Sequence, residues 1–241
     1  MRKRFPRALG TKPRKLLLAA LLVCHPSVIA AQTSAALSLF NDDRFRGYSL
    51  SDGRPVAIAD LSYDDPNGFY AALSGSFVAS RRSGVRPLGL ILNAGYAKRL
   101  FSGLTIDAGI THSEYSRYSD RAAERSYTEG YVGVSGKLLT ARLFVSPDYL
   151  HHGSVYGEVD GNFPVAARLR LTGHVGVLAP LSGSAYRENY GRDIDWRIGL
   201  TRQFGRLSAQ AAWTGVRPGH ELYQARQHHR DALILGLTYA L

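Results

Sequence analysis

The sequence predicts an all-β chain: a transmembrane, antiparallel, up-and-down β-barrel of about 12 strands behind a cleaved export segment. Three observations predict it. Apolar residues recur at every second position in segment after segment, full charges stand at mid-segment on the opposite positions, and the connections alternate between short and long.

The N-terminus comes first because it does not belong to the fold. Arg2, Lys3, Arg4, Arg7, Lys12, Arg14 and Lys15 precede the apolar run from Leu16 to Val23, and small residues follow at Ala30 and Ala31. That order is a secretory signal. Eight apolar residues fall far short of the roughly 20 that a spanning helix needs. The cut is expected after Ala31, giving a signal peptide of residues 1–31 and an outer-membrane barrel domain of residues 32–241. Removing the seven basic residues leaves 23 Lys and Arg against 19 Asp and Glu, so the net charge falls from +11 to +4. A nucleic-acid partner loses its electrostatic support with them. The only cysteine, Cys24, leaves as well, so no disulfide or thiol chemistry is expected.

Strands are expected near 36–46, 55–63, 69–80, 88–98, 104–116, 125–136, 138–147, 154–161, 166–178, 194–204, 207–217 and 231–241. The last is the clearest, with Leu233, Leu235, Leu237, Tyr239 and Leu241 on one face. Leu88, Leu90 and Leu92 share a face in the same way, as do Leu169, Leu171 and Val175, and Trp196, Ile198 and Leu200. On the first strand, Leu39 and Phe45 are expected to face lipid and Arg44 and Arg46 the lumen. A soluble sandwich also alternates, but most of these segments are near the roughly 9–11 residues of a tilted spanning strand, and their polar face is charged rather than merely hydrophilic.

Asp64 to Gly68, Arg99 to Gly103, Lys137 and Gly205-Arg206 are tight connections, whereas 81–87, 117–124, 179–193 and 218–230 are longer and polar. Short turns at one end and long loops at the other are the periplasmic and external ends of an outer-membrane barrel. An even strand count also brings the C-terminus back to the end where the exported chain begins.

Eleven charged residues are expected to line the lumen: Arg44, Arg46, Asp60, Asp107, Glu129, Arg142, Glu158, Arg168, Arg170, Asp195 and Arg197. Charged side chains around a pore set ion preference. Arg142, Arg168, Arg170 and Arg197 are expected to make a positive wall, with Asp60, Asp107 and Glu129 a negative one across from it. Catalytic signals are weak. His112 and Ser113 are adjacent in a strand and point to opposite faces, so they cannot act as base and nucleophile. No spacing argument joins His174 to Ser135. The pairs His151-His152 and His228-His229, with His220, have no carboxylate spaced to complete a metal site. No catalytic, cofactor-binding or metal-ligating residue is therefore expected, and no cofactor.

The stretch Leu37-Ser38-Leu39-Phe40-Asn41-Asp42-Asp43-Arg44-Phe45-Arg46-Gly47-Tyr48-Ser49 resembles the opening signature of the TorF-like porins, in which Arg-Phe-Arg-Gly follows an aspartate. Asn67-Gly68-Phe69-Tyr70 with Gly75-Ser76, Tyr127-Thr128-Glu129 and Asp195-Trp196 are similar to later blocks of that family. Asp43 departs from its pattern, standing where an aromatic is usual, and so does the terminal Leu241. The resemblance implies an outer-membrane barrel of porin type and brings no defined substrate; the function expected of the chain is a passive channel for small polar or charged solutes. A non-conducting structural or surface-interaction barrel is the alternative, with an outer-membrane hydrolase a distant third. The expected partners are outer-membrane lipid, the barrel-assembly machinery during biogenesis and small polar solutes.

Mass spectrometry of the purified protein tests the N-terminal reading. The chain is expected to begin at Gln32, or at Ala31; an intact Met1 would contradict it.

Overall fold

In hydrocarbon no water is available to backbone amides and carbonyls, so a spanning strand needs a hydrogen-bonding neighbour on each side. A computed structural model of the chain describes residues 31–80, 84–116, 126–149, 153–181, 192–218 and 231–241. It meets that requirement by closure. The strands in order are β1 (Gln32–Phe40), β2 (Arg44–Phe45), β3 (Tyr48–Ser49), β4 (Val56–Asp64), β5 (Phe69–Ser80), β6 (Gly84–Arg99) and β7 (Thr105–Tyr115). They continue with β8 (Ser126–Ser135), β9 (Leu139–Ser146), β10 (Ser154–Ala166), β11 (Leu169–Pro180), β12 (Asp193–Phe204), β13 (Leu207–Arg217) and β14 (Ala232–Ala240). All but β2 and β3 form one closed antiparallel barrel, in which each strand pairs with its neighbours in sequence and β1 closes the ring against β14. This is the expected twelve-strand up-and-down barrel. No described helix is long and apolar enough to cross a membrane.

Side-chain alternation turns the ring inside out relative to a soluble protein. Leu37, Leu39, Leu61, Leu92, Ile110, Val132, Val175, Ile198 and Leu235 stand out of the barrel and are exposed. Polar and charged side chains and tyrosines, with apolar residues such as Val56, Val78 and Ile234, fill the other face. Aromatics border the outer band at the turn end, where Tyr63, Phe69, Tyr96 and Tyr239 are exposed and Phe69 packs edge-on against Tyr96 at 5.1 Å. Aromatic rings of this kind suit a headgroup interface.

Five short connections, 65–68, 100–104, 136–138, 167–168 and 205–206, lie at one end of the barrel. The outer ends of β1 and β14 lie there too, with Ala240 N donating to Arg206 O. β6 already begins at Gly84, so the expected 81–87 connection is shorter than predicted. Residues 117–124 lie outside the described residues, as do most of 179–193 and 218–230.

Four local expectations are corrected. β1 ends at Phe40 rather than 46, because Asn41 leaves the β4 edge and bonds β14 alone, its N to Leu235 O at 3.1 Å and its Nδ2 to Leu233 O at 2.9 Å. Leu88 does not share the outer face of Leu90. The β5–β6 register slips between Ser76 and Phe77, and the slip turns Leu88 inward against Val56 and Val78, fully buried. β10 runs past 161 to Ala166 through Pro164, whose missing amide costs no ladder bond because β9 pairing ends at Leu139. Arg168 is not a strand residue at all. It occupies the β10–β11 turn with a left-handed backbone (φ 62°), and its carbonyl accepts from Gln203 N at 2.9 Å.

The face assignment is testable on β11. Val175 is outward and 53 % exposed, whereas Thr172 faces the lumen and its Oγ1 donates to Gly199 O at 3.3 Å. Val175→Arg is expected to destabilise the barrel by about 2–4 kcal/mol in urea unfolding from lipid vesicles, and Thr172→Arg by far less. Equal losses would mean that the strand is turned the other way.

Candidate functional site

A polar interior this narrow has to be filled by water, side chains or chain. Here the first connection, between β1 and β4, folds into it. Residues 41–55 turn back on themselves through the β2–β3 pair, in which Arg44 faces Ser49 and Phe45 faces Tyr48. The organiser is Asp42. Its Oδ1 accepts from Ser49 Oγ at 2.5 Å, Ser51 Oγ at 2.7 Å and Gly53 N at 3.2 Å, and its Oδ2 accepts from Arg44 Nε at 2.8 Å. Leu50 N closes the loop on Asp43 O at 2.7 Å. Such side-chain-to-backbone bonding is what aspartate and serine favour in turns.

The hairpin is seated by Arg46, which is 8 % exposed. Its NH2 donates to both carboxylate oxygens of Glu129 on β8, at 2.7 and 2.8 Å. The guanidinium lies 4.1 Å from the Tyr156 ring centre, 4.6 Å from Tyr149 and 4.7 Å from Phe45. Burial opposes its charge, but Tyr149 and Glu129 outweigh burial and raise its pKa. Phe45 packs among Tyr115, Tyr127 and Tyr149, with centroids 6.3–6.4 Å apart. Leu50 bridges this aromatic cluster to the one formed by Val56, Val78 and Leu88. Tyr48 donates to Asp193 Oδ2 at 2.8 Å. Gly47 has a left-handed backbone (φ 76°), and a Cβ there would come within 2.7–2.9 Å of Val216 and Asp195, so no larger residue fits. Burial, with Asp42 beside it, pushes the Asp43 carboxyl up to about 6.

The expectation for Arg44 and Arg46 is therefore corrected. Neither lies on a barrel strand: both belong to the inserted hairpin, and Phe45 faces inward rather than lipid. Three of the four segments that carry the TorF-like resemblance meet there. Arg44 to Gly47 form the hairpin, Tyr127 and Glu129 receive Phe45 and Arg46, and Asp195 borders Gly47.

Below the hairpin the strand charges interleave. Asp107 and Glu158 flank Arg142, at 3.5 and 4.0 Å. Arg197 stands 4.0 Å from Asp160. Arg170 bonds the Asn162 side chain through Nε and the Asn162 carbonyl through NH2 at 3.3 Å. Asp60 shares the inward parity of Val56 on β4 and is exposed to the lumen. The expected separation into two walls does not hold. Glu158 and Asp160 on β10 stand between Arg142 on β9 and Arg170 on β11, and Arg168 is away in its turn.

At mid-lumen is a network whose centre was not picked out from the sequence. His174 Nδ1 meets Asp160 Oδ1 at 2.8 Å, its Nε2 meets Asp195 Oδ1 at 2.9 Å, and Tyr156 donates to Asp195 Oδ2 at 3.1 Å. The signal was present: Tyr156, Glu158 and Asp160 stand at every second position of one strand. Glu158, Asp160 and His174 could each offer a cation one atom, all within 4.8 Å of one another. Both ring nitrogens of His174 already face carboxylates within the network. His112 is on the outer face, bonded to Thr128 Oγ1 at 2.9 Å, while Ser113 is buried inside, so the pair is split as its spacing predicts. His151, His152, His220, His228 and His229 lie outside the described residues.

Among the described residues, two chambers lie inside the barrel. One of about 410 Å³ adjoins the hairpin, between Arg46, Glu129, Tyr156, His174 and Arg197. The other, about 490 Å³, lies towards the turn end, lined by Tyr70, Asn93, Asp107, Tyr131 and Arg142.

The closed antiparallel barrel is a fold shared with solved outer-membrane porins. It superimposes on the KdgM porin with a TM-score of 0.52 at 12 % identity, covering 86 % of this chain and 98 % of that one. The NanC porin gives 0.54 at 10 % identity, covering 86 % and 100 %. The COG4313 outer membrane channel from Pseudomonas putida F1 gives 0.50 at 12 %, covering 89 % and 96 %. At such identities the likeness is one of fold. Residues 28–235 match Gcw_chp, described as a bacterial protein of unknown function, and the chain belongs to that family. No curated protein matches the chain.

Gly176 tests the network. A Cβ there would lie 2.0 Å from the Tyr156 hydroxyl and 2.6 Å from Asp195 Oδ2, whereas at Gly173 it would meet nothing within 4 Å. Gly176→Ala is expected to cost about 1–3 kcal/mol in urea unfolding, and Gly173→Ala little. Equal behaviour would show that the tyrosine does not lie across that strand.

Proposed function

We propose that the protein is an outer-membrane porin-like channel that passes small polar or charged solutes passively. In this reading residues 1–31 direct export and are removed, the short turns face the periplasm and the hairpin-bearing end faces outside. The observation that carries it is the lumen: charged side chains and hydroxyls project into both chambers, among them Glu129, Glu158, Asp195 and Arg197 in one and Asp107, Arg142, Tyr70 and Tyr131 in the other, beside phenylalanine and isoleucine side chains. The solved porins that share the fold, and the resemblance to TorF-like porins, support the same class.

The inserted hairpin favours a second reading, a filled barrel that works through its surface. Conductance separates the two. Refolded protein in a planar bilayer is expected to give discrete current steps, and their absence from every preparation would leave the filled barrel. Ion preference should follow Arg142, the guanidinium between Asp107 and Glu158. Arg142→Gln leaves both carboxylates uncompensated and is expected to move the reversal potential under a salt gradient towards cation selectivity. The shift should shrink at high salt, where the screening length falls to about 3 Å at 1 M. An unchanged reversal potential would place Arg142 outside the conducting path.

A further inference from the structure

A loop that merely lines a pore can lie flat against one wall. The 41–53 segment does not. Its Arg46 reaches β8 and β10, Tyr48 reaches β12, Gly47 abuts β13, and Leu50 packs with β4, β5 and β6. One short hairpin thus touches the wall on most sides and stands across the lumen, with a chamber directly beneath it.

Its attachments differ in kind along its length. Both stems are tied to the barrel through backbone: Asn41 N to Leu235 O at 3.1 Å, and Ala79 N to Pro55 O at 2.9 Å. The tip is tied by side chains, chiefly the Arg46–Glu129 pair and the Tyr48–Asp193 bond. Inside, the Asp42 network holds the turn together as one body. A firmly pinned stem, an internally bonded tip and side-chain docking are the parts of a hinged element.

The docked state also carries costs that withdrawal would relieve. Arg46 is a non-glycine residue at φ 48°, and its Nε and NH1 are buried without a hydrogen-bond partner. Orphaned donors and a left-handed backbone both oppose docking, while three aromatic rings and Glu129 favour it. Water would satisfy the free nitrogens once the tip left its seat. Docked and withdrawn states are thus drawn towards balance, which a gate requires and a permanent plug does not.

We propose that the 41–53 hairpin is a gate in the barrel, and that the Arg46–Glu129 pair is the latch holding it across the lumen. The proposal rests on the channel reading and deepens it: solutes pass when the tip swings out on its stems. Glu129→Gln and Arg46→Ala each leave an unmatched group in the seat, so the docked state loses and the withdrawn state gains.

Planar-bilayer recording of the full-length mature protein tests this with three preparations. Glu129→Gln and Arg46→Ala are each expected to raise open probability by about tenfold or more, since breaking a buried pair is strongly destabilising. Replacing residues 43–53 with a short Gly-Ser linker should give a channel that is open throughout. A linker variant that conducts, beside latch variants that behave as wild type, would overturn the gate and leave the channel standing. Failure of the linker variant to conduct would overturn the channel reading itself.

Discussion

Everything in this protein depends on the pairing of β1 with β14. A strand in hydrocarbon cannot leave a row of amides and carbonyls unmatched, and an open twelve-strand sheet would have two such rows. The register from Ala36 opposite Ala240 to Phe40 opposite Gly236 removes both at once. Closure then fixes the rest. Alternate side chains must point into a confined space, so every strand contributes both a hydrocarbon surface and a lumen surface, and the polarity of the sequence follows that division.

The lumen solves its own problem with matched groups. Isolated charges in a narrow interior would be costly, and here several have counterparts: Asp107 and Glu158 about Arg142, Asp160 and Asp195 about His174, Glu129 under Arg46. Removing one member of such a set leaves its partner exposed to the full cost. The glycines opposite the tyrosines belong to the same economy of space, since the Tyr156 hydroxyl lies where a side chain at Gly176 would have to be. The hairpin completes the filling with the segment that alternation alone could not place.

How legible was this from the sequence? The barrel was legible almost strand by strand, because period-two patterning is a direct consequence of one wet and one oily face. It failed where the period breaks for a local reason. The β5–β6 bulge turned Leu88 inward, and the left-handed turn took Arg168 off its strand. Pro164 disguised the end of β10. The hairpin was hidden differently. Asn41 to Ser49 reads as a strand turning polar, and nothing local reveals that Asp42 gathers Ser49, Ser51 and Gly53 around itself. The partners of Arg46 are equally remote, Glu129 being 83 residues away. The inward positions of the strand charges followed from parity, but which charge meets which depends on the barrel's stagger, and that is not written in any one strand.

The central claim is that one face of each strand is wet and the other is in hydrocarbon. Single cysteines along β11, in a chain whose Cys24 is changed to serine, test it most directly with a small charged thiol reagent on protein in lipid vesicles. The account predicts labelling at positions 170, 172 and 174 and protection at 171, 173 and 175. Protection at all six would mean a dry, filled interior, and labelling without period two would mean that β11 does not cross a membrane as a barrel strand.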